Sequence, residues 1–340
     1  MRILFVKLGA IGDVVQAAVA VSEYRRRYPH HKLDWVVGRS VSALVDAFGV
    51  SDELVVIDDL ALLSSSYAQK GPALIKAMIR LWRLGKYDRV VTAYADRRYE
   101  ILTCGVGARR RVRFSRALAR PSPIQHRSRV HEYWCLLSGS DGEAIDIAAA
   151  TKVLGRSVLN RVERSEFGSL PSQYLILAPG GAKNTLREDN LRRWPIDNYL
   201  GLAEKLLRAG RNVVLVGGLT DRWINSAFAN MGVVNLIGET TLVNLLPVLD
   251  GADAIVGNDS GILHLAALTN AGIVALFGPT PANAFVPRGR DRTIVLEEGN
   301  RVSCSPCYDG KNYAPCSRNI CLEAITVSRV FEAVESLCEP

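Results

Sequence analysis

Uninterrupted apolar runs of four or five residues recur along the chain. Ile3-Leu4-Phe5-Val6, Val213-Val214-Leu215-Val216 and Ile273-Val274-Ala275-Leu276-Phe277 are three of them. A strand with one wet face alternates apolar and polar residues, whereas a run without alternation suits a parallel strand covered on both faces. The pattern predicts strands over residues 3–7, 32–37, 54–57 and 89–92, and again over 174–178, 213–216, 254–256 and 273–277. Helical spacing fills the intervals, including 13–27, 41–48 and 72–84, and a last helix spans 327–337. Strand and helix alternating from end to end is the signature of an α/β chain with doubly wound parallel sheets. The rhythm fails only over residues 155–172, which mix charge, Gly and Pro and read as a linker. Two Rossmann-like domains follow, 1–160 and 161–340, expected to face each other across a cleft. Ligands of such sheets bind at the carboxyl ends of strands, where the chain turns into the next helix.

Composition sharpens this outline in two places. With 340 residues, 48% of them hydrophobic, the chain can build two cores of ordinary size. No apolar run approaches the roughly 20 residues that span a bilayer, and the first residues form a strand-like run without a cleavage site. A cytoplasmic protein is expected. The formal charge of +8 is unevenly spread: residues 97–129 hold ten Arg against one acid, Glu100. Such a field suits an anionic partner, a phosphorylated glycolipid or an acidic membrane surface. Nucleic acid is disfavoured because few aromatics interleave with the arginines. Within this window Ala108-Arg109-Arg110-Arg111-Val112-Arg113-Phe114 also reads as a strand with an alternating face, which would make some of the arginines structural.

The chemistry lies in the polar turns. Lys7-Leu8-Gly9-Ala10-Ile11-Gly12-Asp13 follows the first strand, but it lacks the G-x-G-x-x-G spacing and the acidic ribose ligand of a dinucleotide site. Asp13 is either a cap of the first helix or a general base facing the cleft. Pro179-Gly180-Gly181 leads toward Arg192-Arg193-Trp194-Pro195, where Arg192 can neutralise a diphosphate. Val216-Gly217-Gly218-Leu219-Thr220-Asp221 offers a ribose ligand or another cap. Gly257-Asn258-Asp259-Ser260-Gly261-Ile262-Leu263-His264 opens a helix at Asp259 and Ser260, whose free N–H groups favour an anion. No D-x-D pair stands at a strand end, so catalysis without a metal is expected.

Taken in order, these turns resemble glycosyltransferase family 9, the ADP-heptose:lipopolysaccharide heptosyltransferases. The resemblance rests on Gly9-x-x-Gly12-Asp13, Pro179-Gly180-Gly181, Arg192-Arg193-Trp194-Pro195, Gly217-Gly218-x-x-Asp221, the block from Gly257 to His264, and Phe277-Gly278-Pro279-Thr280-Pro281. It implies the GT-B fold, with a donor site formed by Gly12, Gly180, Gly181, Arg192, Asp221, Asp259, Ser260, Gly261 and His264. It further implies Asp13 as base, Arg192 on the diphosphate, Asp221 near the ribose, Asp259 on sugar hydroxyls, and the N–H groups of Ser260 and Gly261 on phosphate. In such chains the last helix often packs back across the linker. Arg97, Arg98, Arg109 and Arg120 are the expected contacts to an anionic acceptor at the cytoplasmic face of the inner membrane. Arg89-Val90-Val91-Thr92-Ala93-Tyr94-Ala95-Asp96 lacks the Asp-x-Gln-Gly typical of the family at this point, so the acceptor is less defined than the donor. The function implied is inverting transfer of heptose from an ADP-sugar to lipopolysaccharide inner core. A protein acceptor presenting Ser or Thr, or a non-catalytic module binding a nucleotide sugar or polyanion, are the competing readings.

Four of the seven cysteines, Cys304, Cys307, Cys316 and Cys321, form C-x2-C-x8-C-x4-C. This spacing suits a structural zinc or iron held by thiolates, with reduced thiols and disulfides as alternatives. Cys104, Cys135 and Cys338 read as ordinary buried or terminal residues.

Overall fold

Each half of the chain is organised by a parallel sheet. The computed structural model describes residues 1–63, 67–94, 97–114, 127–140, 143–163, 170–181, 190–287, 290–299, 302–308 and 312–339. The chain divides into two units, Met1–Val158 and Leu159–Pro340.

In the N-terminal unit, β1 (Arg2–Val6), β2 (Lys32–Gly38), β3 (Glu53–Ile57), β4 (Lys86–Thr92) and β5 (Gly107–Arg113) pair in the order β3-β2-β1-β4-β5. Phe5 stands beside Trp35 on one side and Val91 on the other, and all three pairings around them are parallel. Ile3, Leu4, Phe5 and Val6 are fully buried, which is why this run shows no alternation. The connecting helices are α1 (Ile11–Arg27), α2 (Ser42–Phe48), α3 (Asp59–Leu63), α4 (Tyr67–Trp82), α5 (Arg97–Thr103), α6 (Arg129–Ser138) and α7 (Ile147–Leu159). α1 buries Val14, Val15, Ala17, Ala18 and Val21, a stripe at helical spacing, and packs against α6. The strand order reverses between β1 and β4, so their carboxyl ends border the crevice where such sheets hold ligands.

In the C-terminal unit, β6 (Leu175–Ala178), β7 (Val213–Leu215), β8 (Val234–Asn235), β9 (Ala254–Asn258), β10 (Gly272–Leu276) and β11 (Thr293–Leu296) pair in parallel in the order β11-β10-β9-β6-β7-β8. Here the reversal falls between β6 and β9, whose last pairing sets Ala178 beside Gly257. The helices are α8 (Ile196–Arg208), α9 (Asn225–Phe228), α10 (Leu242–Asp250), α11 (Gly261–Ala266), α12 (Ala282–Phe285), α13 (Ile320–Glu323) and α14 (Val327–Cys338). Leu177, Leu215, Val256, Val274 and Leu276 from the strands close on Tyr199, Leu202 and Val334 from the helices and on Trp194 from the turn before α8.

The last helix, α14, packs on α8, β9 and β10, because its buried Val330, Ala333 and Val334 join that core. Two features differ from the sequence reading. Residues 155–159, read as linker, continue α7. Strands β8 and β11 pass unnoticed in the sequence because short, half-buried runs carry little periodic signal.

One buried amide ties the carboxyl ends of the second sheet together. Asn258, fully buried at the end of β9, accepts the Trp194 N–H at 2.9 Å and the Tyr199 hydroxyl at 3.2 Å. Its own amide donates to the carbonyls of Pro179 at 3.0 Å and Gly180 at 3.3 Å. Replacing Asn258 with Ala is expected to cost about 2–4 kcal/mol, since it strands several buried groups at once. Urea unfolding of both proteins measures it.

Candidate active site

The turn after β1 carries a charge that the sequence does not advertise. Lys7 directly follows four buried apolar residues and is itself buried, 1% exposed. Its ammonium reaches back to the Asp13 carboxylate at 2.7 Å, in the first turn of α1. It also lies over the ring of Tyr94, 4.6 Å from the centroid, and near that of Tyr133 at 5.8 Å. The Tyr133 phenol, on α6, lies close to the same carboxylate. Burial, reinforced by the Asp13 charge, pushes that phenol well above the ordinary tyrosine range, so it stays protonated and available to donate. Burial pulls the Lys7 ammonium below its usual value, while Asp13 opposes this. Asp13 is 30% exposed: its carboxylate is held by an ammonium and flanked by a phenol yet remains open to a reactant. A carboxylate beside an opposite charge stays ionised. Nothing in the sequence marks Lys7, Tyr94 or Tyr133, because a single Lys after a strand, or a Tyr in a turn or a helix, looks no different from a surface residue.

The C-terminal unit gathers its predicted residues around the carboxyl ends of β6 and β9. Gly181 adopts φ +81°, and a Cβ there would meet the Ser260 Cβ at 2.8 Å. A Cβ on Gly180 would overlap the Asp221 carboxylate, with its carbon 2.3 Å away. Only glycine fits either position. Asp221, expected near a ribose, uses Oδ1 to accept the Gly181 N–H at 3.1 Å and Oδ2 to accept the Gly218 N–H at 2.9 Å. Its carboxylate therefore pins two glycine turns against each other. Arg193 completes this clamp, donating to the Gly181 carbonyl through Nε at 3.0 Å and Nη2 at 2.8 Å.

Arg192 and Asp259 form the second element. The Arg192 guanidinium donates to the Asp259 carbonyl at 3.2 Å and to its carboxylate at 3.3 Å. Thr280 donates its hydroxyl to the same carboxylate at 2.9 Å. The carboxylate expected at the helix cap is thus turned toward Arg192. The cap position falls to Ser260, without a side-chain cap bond. Its hydroxyl is buried and has no hydrogen-bond partner among the described residues. Gly261 opens α11 and His264 is buried one turn later. Gly12 belongs to the N-terminal unit, where its carbonyl accepts from Gln16 at 3.3 Å.

The arginine-rich window is less uniform than its sequence. Arg111 donates to the carbonyls of Thr103, Cys104 and Val106, and Arg113 pairs with Glu100. Arg109 is exposed and only 3.5 Å from Asp88. Arg98 is exposed on α5, Arg97 starts that helix, and Arg120 lies outside the described residues. The four clustered cysteines are free thiols, Cys304 and Cys316 exposed and Cys321 buried. Among the described residues no group of three or more His, Cys, Asp or Glu is arranged to hold a metal ion. Instead the Cys316 thiol donates to the Arg318 carbonyl and that of Cys321 to the Asn319 side-chain oxygen.

Comparison with known proteins identifies the surroundings of these turns. A profile of glycosyltransferase family 9 (heptosyltransferase) matches residues 101–316. The chain is 34% identical over 155 residues to lipopolysaccharide heptosyltransferase 2 of Escherichia coli, covering 43% of this chain and 42% of that protein. At this level of identity it spans less than half the length of the curated relatives it matches. Over a longer span it is 24% identical to lipopolysaccharide heptosyltransferase 1 of Pseudomonas aeruginosa, across 90% of this chain and 86% of the relative. Its fold is similar to that of E. coli heptosyltransferase WaaC with ADP-2-deoxy-2-fluoro heptose, with a TM-score of 0.70 at 19% identity and 99% of both chains covered.

The cysteines differ enough in environment to be ranked. Burial raises the Cys321 thiol above its ordinary value, and thiolate character sets the rate of alkylation. Iodoacetamide on the native protein is expected to label Cys304 and Cys316 first and Cys321 last, read by peptide mass spectrometry over time.

Proposed function

The chain belongs to glycosyltransferase family 9, and from that premise we propose that it transfers heptose from ADP-heptose to a hydroxyl of lipopolysaccharide inner core, with inversion at the anomeric carbon. The observation that carries the reading is the Asp13 carboxylate, held by buried Lys7 and flanked by Tyr133 at the carboxyl end of β1. In the proposed reaction the acceptor oxygen attacks the anomeric carbon opposite the diphosphate. Its proton passes to Asp13 as the bond to the diphosphate breaks and ADP departs. A carboxylate is a weak base and takes this proton only because the hydroxyl acidifies as it forms its new bond. Lys7 and Tyr133 keep Asp13 ionised and oriented until then.

Arg192 stabilises the departing diphosphate. In the free protein it rests on Asp259, and a bound diphosphate, a stronger acceptor for a guanidinium fork, replaces this pairing. The Asp259 carboxylate is then released toward the donor sugar hydroxyls. The Ser260 hydroxyl, without a partner among the described residues, and the N–H groups of Ser260 and Gly261 supply phosphate donors. Asp221 acts indirectly by fixing the Gly180–Gly181 turn. The membrane-borne core is favoured over a protein acceptor because the curated relatives named above act on lipopolysaccharide.

Three measurements check this reading. Asp13→Asn, which keeps an oxygen facing Lys7, is expected to lower kcat about 10²–10⁴-fold, the usual worth of a general base, with ADP affinity retained. Unchanged turnover would remove Asp13 from the mechanism. Lys7→Met removes the opposite charge and so raises the Asp13 pKa; the acidic limb of the kcat–pH profile should move to higher pH. In calorimetry, ADP is expected to bind in preference to UDP and GDP, and Arg192→Ala to weaken it by about tenfold or more through loss of a charge-assisted contact. A preference for UDP or GDP would replace the donor.

A further inference from the structure

Helix α4 is apolar on two sides. Its inner side, with Ala77 and Leu81 buried and Leu74 and Met78 partly so, packs into the core of the N-terminal unit. Its outer side presents Ile75, Ile79 and Trp82, which are 59%, 44% and 67% exposed. These positions are spaced i, i+4 and i+7 and form a single continuous stripe along the helix. A helix that is apolar all round belongs in an interior or against an apolar medium. Large exposed side chains grouped in this way mark an interaction surface rather than chance exposure.

The charges beside the stripe specify the medium. Residues 60–87 contain Lys70, Lys76, Arg80, Arg83 and Lys86 and no acidic residue. Lys76 and Arg83 each follow a stripe residue by one position, and both are exposed. Arg80 is also exposed and donates to the Val56 carbonyl at 2.6 Å. A row of Ile, Ile and Trp bordered by Lys and Arg is the composition that settles at a bilayer interface, with apolar groups at the acyl boundary and cations among anionic headgroups. A second protein is a poorer fit: a stable interface buries about 800 Å² per partner, far more than three side chains on one helix provide. No helix among the described residues is long and apolar enough to cross a membrane, so the contact lies on the surface.

We infer that the outer face of α4, through Ile75, Ile79 and Trp82 with Lys76 and Arg83 beside them, docks the protein on an anionic lipid bilayer. The inference is independent of which sugar is transferred, since none of these residues takes part in the proposed chemistry. It locates membrane attachment on α4, outside the arginine-rich stretch of 97–129.

Flotation with vesicles tests it, using phosphatidylcholine alone and phosphatidylcholine with phosphatidylglycerol. The protein is expected to float with the anionic vesicles and to lose that binding about tenfold or more in the double variant Ile79→Glu/Trp82→Glu. Lys76→Glu/Arg83→Glu should abolish the preference for anionic lipid. The substituted side chains are exposed, and an unchanged thermal transition verifies folding. Equal flotation of wild type and the Ile79/Trp82 variant overturns the inference, as does failure of the wild type to float. If neither floats and the wild type sediments as a dimer that Ile79→Glu/Trp82→Glu splits, the face belongs to a second copy and the inference is likewise overturned.

Discussion

A parallel sheet brings the carboxyl ends of its strands to one edge, where the chain must turn while its backbone groups lose their ladder partners. Both units of this protein meet that constraint with a few buried polar side chains, and the candidate chemistry is built on their solution. In the N-terminal unit the side chain is Lys7, whose backbone bonds to Val36 and Trp35 while its ammonium holds Asp13. In the C-terminal unit they are Asn258 and Asp221, which tie together Pro179, Gly180, Gly181, Trp194 and Gly218. A buried polar group left unpaired costs several kcal/mol. These contacts therefore stabilise the turns and fix the geometry presented to a ligand.

The two edges are prepared for different work. Around Asp13 an ammonium and a phenol surround one partly open carboxylate, an arrangement suited to receiving a proton from a positioned hydroxyl. Around Ser260 the polar functions are mostly donors: the Arg192 guanidinium, a buried hydroxyl without a partner among the described residues, and the amides at the start of α11. Arg192 is already oriented by Asp259, so in the proposed reaction a diphosphate would exchange one pairing for another and would not require a free side chain to be ordered. Such preorganisation is where electrostatic catalysis finds most of its advantage over water.

Much of this was legible in the sequence, and the limits have physical causes. Apolar runs without alternation announced the parallel strands, and Pro179-Gly180-Gly181 announced a turn at the end of β6. Asp13, Arg192, Asp259 and Ser260 stand in polar turns, and the family resemblance is what assigned them roles. What the sequence could not convey was pairing. Asp221 was read as a ribose ligand or a cap and is occupied by two glycine N–H groups, which only the fold brings within reach. Lys7 carries no mark of burial, since a Lys after a strand is usually solvated. The arginine window read as one field, but Arg111 spends its donors on backbone carbonyls and Arg113 on Glu100, while the exposed apolar stripe on α4 hides inside an ordinary helical pattern.

The central claim is transfer of one heptosyl group to a lipopolysaccharide core acceptor with Asp13 as the base. The most direct test is mass spectrometry of heptose-deficient core after incubation with ADP-heptose and the purified protein. The account predicts that the acceptor gains one heptose for each ADP released, and that Asp13→Asn suppresses both together. Release of ADP without change in the acceptor, or an undiminished product with Asp13→Asn, would contradict it.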